Sequence, residues 1–202
     1  MEKKITRKQQ AKNTKKKLLE VSMRLIKQYG FDAVTINQIC NEADVSTGAF
    51  YHHLKSKAGI IIEGYLQCDE YFEEIVSQKL GKRTFYAQIM EYIDYQMEYA
   101  QSTGIDLMIQ IYRAQITEGN QFFLSEQRGL PKGLNHLIQQ AQENNELVND
   151  IPYDQIGKEL LIISRGIIYN WCQSEGSYPL IPLAEQIIGN YLHTYKKESS
   201  GL

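Results

Sequence analysis

The sequence predicts an all-α protein. Pro is scarce, only four in 202 residues, so little interrupts long helices. Apolar residues return at helical spacing in one segment after another. No segment shows the strict alternation of a half-buried strand. With 43% apolar and 23% charged residues, the composition is that of an ordinary globular chain. It is long enough to bury a core without disulfides or metals.

Residues 12–29 form the first expected helix, with Leu18, Leu19, Val21, Ser22, Leu25 and Ile26 at helical spacing. Gly30 ends it as a C′ residue would. Thr35 opens the second helix, and Gln38 three residues on completes a capping box. Ile36, Ile39 and Cys40 are its apolar stripe, and it stops near Ala43. Asp44 and Val45 make a tight turn, and Ser46 caps a third helix over residues 47–53. Two short helices joined by about three residues, with Val45 in the angle, are what a helix-turn-helix requires.

Ser56 then caps a long fourth helix over residues 57–79, and no linker separates it from what precedes. Its apolar positions are Ile60, Ile61, Tyr65, Leu66, Cys68, Phe72, Ile75 and Val76. Further helices are expected over 84–101, 105–117, 134–145, 153–174 and 182–197, with Pro182 suited to a first turn. Residues 120–133 read as partly irregular, with a local apolar patch at Phe122, Phe123 and Leu124.

Charge divides the chain. Residues 1–60 hold twelve Lys/Arg against five Asp/Glu, a net of +7, so the remainder carries −9 of the total of −2. Positive residues placed within patterned helices suggest a polyanionic partner for the N-terminal part. A recognition helix reaches base edges of the major groove with its first residues, here Thr47, Gly48 and Ala49. Thr47 can donate, accept and present a methyl, Gly48 lets the backbone approach, and Ala49 offers only a methyl. So few base-reading groups leave much of the binding to shape and phosphates. Tyr51, His52, His53, Lys55 and Lys57 are suited to phosphate oxygens, and Thr35 and Lys57 each stand at a helix N-terminus. Lys15, Lys16 and Lys17 add more distant charge.

Other chemistries find little support. Cys40, Cys68 and Cys172 are scattered and odd in number, so they read as small buried residues rather than ligands or a disulfide framework. His52 and His53 have no further ligands near them in sequence, so no metal and no cofactor is expected. No nucleophile–base pair or phosphate loop argues for an enzyme. Neither a bilayer-spanning run nor a signal-peptide h-region is visible, so the expected location is the cytoplasm.

The run TINQICNEADVSTGAFYHHLKSK, Thr35 to Lys57, resembles the signature of the tetracycline-repressor (TetR) family. It departs where the family usually has a small residue (Cys40), Gly (Asp44) and Phe (Leu54). Asp44 can still adopt a left-handed turn. Leu134 to Gln142, Glu146 to Val148 and Ser164 to Trp171 are similar to later stretches of the family. The resemblance implies about nine helices, a DNA-binding domain over residues 1–57 and an effector-binding and dimerisation domain over 58–202. It further implies an operator DNA partner, a homodimer paired through the last two helices, and a cavity whose small-molecule effector releases DNA.

The apolar stripes Ile156, Leu160, Ile163, Ile167, Trp171 and Ile187, Ile188, Tyr191, Leu192, Tyr195 fit such a dimer, or the intramolecular core. Effector candidates are Tyr65, Tyr95, Tyr99, Met108, Tyr112, Arg113 and Tyr169, with Tyr92, Met90, Met97, Arg165 and Trp171 behind them. Aromatic and Met-lined cavities suit flat or lipophilic ligands, although each residue could instead be core. A DNA-binding dimer with no small-molecule effector, controlled by a protein partner, is the competing expectation.

Overall fold

Nine helices account for the architecture of the described residues, 6–81, 83–117 and 125–197, in a computed structural model. The expected patch at Phe122–Leu124 lies outside them. The only strand-like pairing in that set is one antiparallel bridge, Leu147 with Lys196.

α1 (Arg7–Tyr29) begins five residues earlier than expected, because Thr6 accepts from the Gln9 N–H and Gln9 bonds Asn13 one turn on. Gly30 ends it with φ +84, a conformation that favours Gly. α2 (Ile36–Ala43) and α3 (Thr47–Leu54) follow. Leu18, Ile26, Val34, Ile39, Phe50 and Leu54 fill the core between these three helices.

α4 runs on through Lys57–Glu70, a wide π-turn at Tyr71–Val76, and Ser77–Lys79. The π-turn follows from the sequence pattern. Ile60, Gly64, Cys68, Phe72 and Val76 recur every fourth residue and are all buried. A pure α-helix would carry that row about 40° further round at each step. A wider turn unwinds the drift and keeps Phe72 and Val76 on the core side. Leu66 and Ile75, expected in the stripe, are 39% and 43% exposed for the same reason of phase.

α5 (Phe85–Thr103), α6 (Ile105–Thr117), α7 (Gly129–Glu143), α8 (Tyr153–Gln173) and α9 (Leu180–His193) build the second unit. α4 packs on α1 at one end and on α6 and α7 at the other, so it belongs to both units. α7 starts five residues before its expected start. Pro131 is harmless in a first turn, and Asp69 of α4 accepts from the Leu130 N–H there. α9 starts two residues early and ends four early, because the chain turns after His193 to bridge Leu147. Gly133 lets α7 approach α5 closely: a Cβ there would stand 2.3 Å from the Tyr92 hydroxyl.

Candidate nucleic-acid interface and cavities

Short-range contacts set the geometry of α2 and α3. Thr35 Oγ1 accepts from the Gln38 N–H, and the Gln38 side chain accepts from the Thr35 N–H at 2.8 Å. The Thr35 hydroxyl also meets Gln38 Oε1 at 3.0 Å, so it is engaged at both ends of its hydrogen-bonding capacity. Asp44 turns the chain in the left-handed region at φ 51, ψ 52, and the Val45 N–H returns to the Cys40 carbonyl. Ser46 caps the Ala49 N–H at 3.1 Å. Phe50 and Leu54 anchor one side of α3 in the core.

The other side of α3 faces outward. Thr47, Gly48, Tyr51, His52 and Lys55 are exposed and Ala49 is half-buried, which presents the expected base-reading and phosphate-contacting groups together. His53 is half-buried; burial foremost, then the neighbouring His52 and Lys15 charges, lowers its imidazole pKa. His52 and His53 stand edge to face at 5.0 Å. Lys55 ends the helix at φ 61, a strained value for a residue with a side chain. Lys57 is half-buried, with its ammonium 4.4 Å from the centre of the Phe31 ring and 3.3 Å from the Asp32 carbonyl. That lysine holds the α1–α2 connection as well as standing at the N-terminus of α4. Of the α1 lysines, Lys12, Lys16 and Lys17 are exposed, while Lys15 pairs with Glu63 of α4 at 2.7 Å.

The effector candidates scatter. Of these, only Tyr65 and Tyr99 line a cleft of about 950 Å³ between α1, α4 and the α5–α6 corner. Burial pushes both phenols well above their ordinary pKa. Met108 is core. Tyr95 is half-buried with the Lys79 ammonium 5.7 Å from its ring centre. Tyr112 donates to the Arg165 carbonyl at 2.7 Å and meets Tyr169 edge-on. Arg113 points to solvent, and Tyr169 is 49% exposed. A smaller cavity of about 190 Å³ between α7 and α8 includes Asn135, Lys158 and Arg165. A third, of about 590 Å³, lies on the N-terminal unit between α1 and α2.

Sequence reasoning missed a buried charge pair. Arg128, 7% exposed, donates to both carboxylate oxygens of Asp69, Nε at 2.9 Å and Nη2 at 3.0 Å, and lies 5.0 Å from the Tyr65 ring centre. The partners are 59 residues apart, so no local pattern announces them.

The expected dimer stripes also divide differently. Ile156, Leu160, Ile167 and Trp171 are buried within the chain, as are Ile188 and Leu192. The large apolar residues left outside on these two helices are Tyr153, Ile162 and Tyr169 of α8 and Ile187 of α9. Among the described residues, no three His, Cys, Asp or Glu cluster as a metal site, and no helix is long and apolar enough to cross a membrane.

Comparison with known proteins agrees with this geometry. A sequence model described as "Bacterial regulatory proteins, tetR family" matches residues 18–63, from the core of α1 into α4. The probable acrEF/envCD operon repressor of Escherichia coli strain K12 is 23% identical over 205 residues, covering 96% of this chain and 91% of that one. The uncharacterized HTH-type transcriptional regulator YerO of Bacillus subtilis is 39% identical over 57 residues, 28% of this chain and 19% of that one. In structure, the chain is similar to Thermus thermophilus FadR, a TetR-family repressor in complex with lauroyl-CoA. The TM-score is 0.76 at 17% identity, over 93% of this chain and 98% of that one. Residues 18–63 thus carry the helix-turn-helix of the tetR-family regulators, and the chain as a whole is similar in helix order and fold to TetR-family repressors.

Proposed function

We propose that this protein is a homodimeric repressor that a small-molecule effector releases from its operator. The carrying observation is the outer side of α3, where Thr47, Gly48, Tyr51, His52 and Lys55 stand exposed on a helix fixed by caps at both preceding joints. Residues 1–57 form the DNA-binding unit and 58–202 the effector and dimer unit. Thr35, Ala49, His53 and Lys57 complete the DNA-facing set. The exposed Ile162, Tyr169 and Ile187 support pairing of α8 and α9 with a second copy. Two such units place their recognition helices about 34–36 Å apart on successive major grooves.

The relative with lauroyl-CoA bound supports an effector in this fold, and α4 is the element shared by both units. An effector that tilts α4 changes the spacing of the recognition helices. The expected site of action is the cytoplasm, and no catalytic role is assigned. A gel-shift titration on the DNA upstream of its own reading frame tests the proposal. It is expected to give a sequence-specific, salt-sensitive complex of dimer stoichiometry. Equal affinity for unrelated DNA would sink it.

A further inference from the structure

We propose that the effector occupies the 950 Å³ cleft between α1, α4 and the α5–α6 corner, touching the DNA-binding unit directly, and is an amphiphile with an apolar body and an anionic head. This rests on the reading above that a small molecule controls the protein. The volume lies in the range that encloses a drug-sized ligand. One wall belongs to the DNA-binding unit and α4, with Met23, Ile26, Ile61 and Gly64; Ile105 and Ile111 of α6 stand across from it. A ligand here spans the joint between the units rather than the interior of one.

The lining's charge selects the head group. Arg24 and Lys27 of α1 are its cations, and Asp106 is the single carboxylate among the lining residues. Asp106 is engaged: its Oδ2 accepts from the Phe31 N–H at 3.2 Å. Arg24 pairs with Glu42 at 2.8 Å, which leaves the exposed Lys27 as the principal anchor for an anion. The first turn of α6 lines the same cleft, but its own carboxylate, Asp106, already answers that helix N-terminus, so the anion is held from the α1 side. The phenol of Tyr99 stays protonated at neutral pH and can donate to the ligand further in, with the Tyr65 ring as an apolar and polar wall beside it.

The same residues explain how occupancy is felt at DNA. The Asp106–Phe31 bond ties the corner of α6 to the connection just after α1. Lys57 of α4 lies over the same Phe31 ring. The corner itself is one residue, Gly104 at φ +87, with open space around it. A body wedged between α1 and α6 loads Phe31 and pivots the corner at Gly104, moving the helix-turn-helix against α4.

The test titrates the full-length protein with sodium dodecanoate, 1-dodecanol and dodecyltrimethylammonium chloride, each below its micelle concentration. Calorimetry reads binding and fluorescence anisotropy reads operator release. Dodecanoate is expected to bind tightest and to release the operator. Lys27→Glu is expected to weaken dodecanoate about fivefold, the scale of one exposed charge contact, while leaving dodecanol within about twofold. Leu107→Trp, which adds bulk at the rim, is expected to weaken all binding while circular dichroism stays unchanged. Preference for the ammonium probe overturns the anionic head. Dodecanoate bound equally by wild type and both variants overturns the cleft and leaves the effector reading standing. No binding by any probe overturns the inference; the effector reading itself falls only if a small-molecule cell extract also fails to lower operator affinity.

Discussion

The three N-terminal helices and the later ones solve the same two problems, satisfying helix ends and placing charge, by different means. In the first unit each helix is capped by a Thr or Ser whose partner is three residues away: Thr6, Thr35 and Ser46, with Ser56 repeating the device for α4. Its ion pair Arg24–Glu42 is exposed. In the second unit the N-cap residues of α7, α8 and α9 (Arg128, Pro152 and Pro179) make no side-chain cap bond, and the first turn of α7 is served instead by Asp69 of α4. α5 is capped by Thr84, and also by Glu146 from 60 residues away, whose carboxylate accepts from the Phe85 and Tyr86 N–H groups. The Arg128–Asp69 pair is buried. The DNA-reading unit is therefore specified locally, while the second unit depends on distant parts meeting. A locally specified N-terminal unit joined to a body held by long-range contacts is compatible with the effector release proposed above.

Substitutions can break or sharpen this contrast. Arg128→Ala strands a buried Asp69 carboxylate and is expected to destabilise the chain by about 3–5 kcal/mol in urea unfolding. Arg24→Ala is expected to cost under about 1 kcal/mol. Equal costs would erase the distinction.

Asp94 gives a pH-dependent case. Its Oδ1 is buried without a hydrogen bond. Burial first, then Glu185, Glu98 and Glu91, raises its pKa from 3.8 to about 6. A carboxyl raised on folding contributes stability that is complete below its unfolded value near 3.8 and lost as pH rises through about 6. Asp94→Asn is thus expected to stabilise by about 1–2 kcal/mol at pH 7.5, the half-buried position screening the rest, and by almost nothing at pH 3. Thermal melts at both pH values measure it; a gain independent of pH would refute the assignment.

Ser46→Ala removes the α3 cap and is expected to cost about 1 kcal/mol, with DNA affinity falling alongside. Lys55→Gly is the smallest and has two signs. Relief of the positive φ is expected to add up to about 1 kcal/mol of stability. Loss of the ammonium is expected to weaken operator binding and lower the salt slope by about 1. Unchanged salt dependence would remove Lys55 from the phosphate contacts.

The contrast also explains what was legible in the sequence. Thr35, Gln38, Asp44 and Ser46 act on neighbours within a few residues, so the expected capping box, turn and cap all stand in the structure. The second unit was legible as helices but not as sites. Arg113 sits on a helix rich in apolar residues, yet the phase of α6 turns it to solvent. The stripe Ile156–Leu160–Ile167 has the spacing of any buried face, and spacing alone does not say which neighbour covers it. Asp69 and Arg128 carry no sequence signal because their environment is assembled only by α4 meeting α7.

The π-turn of α4 has a consequence in rotation rather than length. Deleting one residue between Tyr71 and Val76 to leave a plain α-helix would shorten the rod by only about 1.5 Å but turn everything before it by about 100° about the axis. The fourfold row Ile60, Gly64, Cys68 would then face away from the side that Phe72 and Val76 occupy. For this chain, the register of a single wide turn sets the azimuth at which the recognition helix is presented.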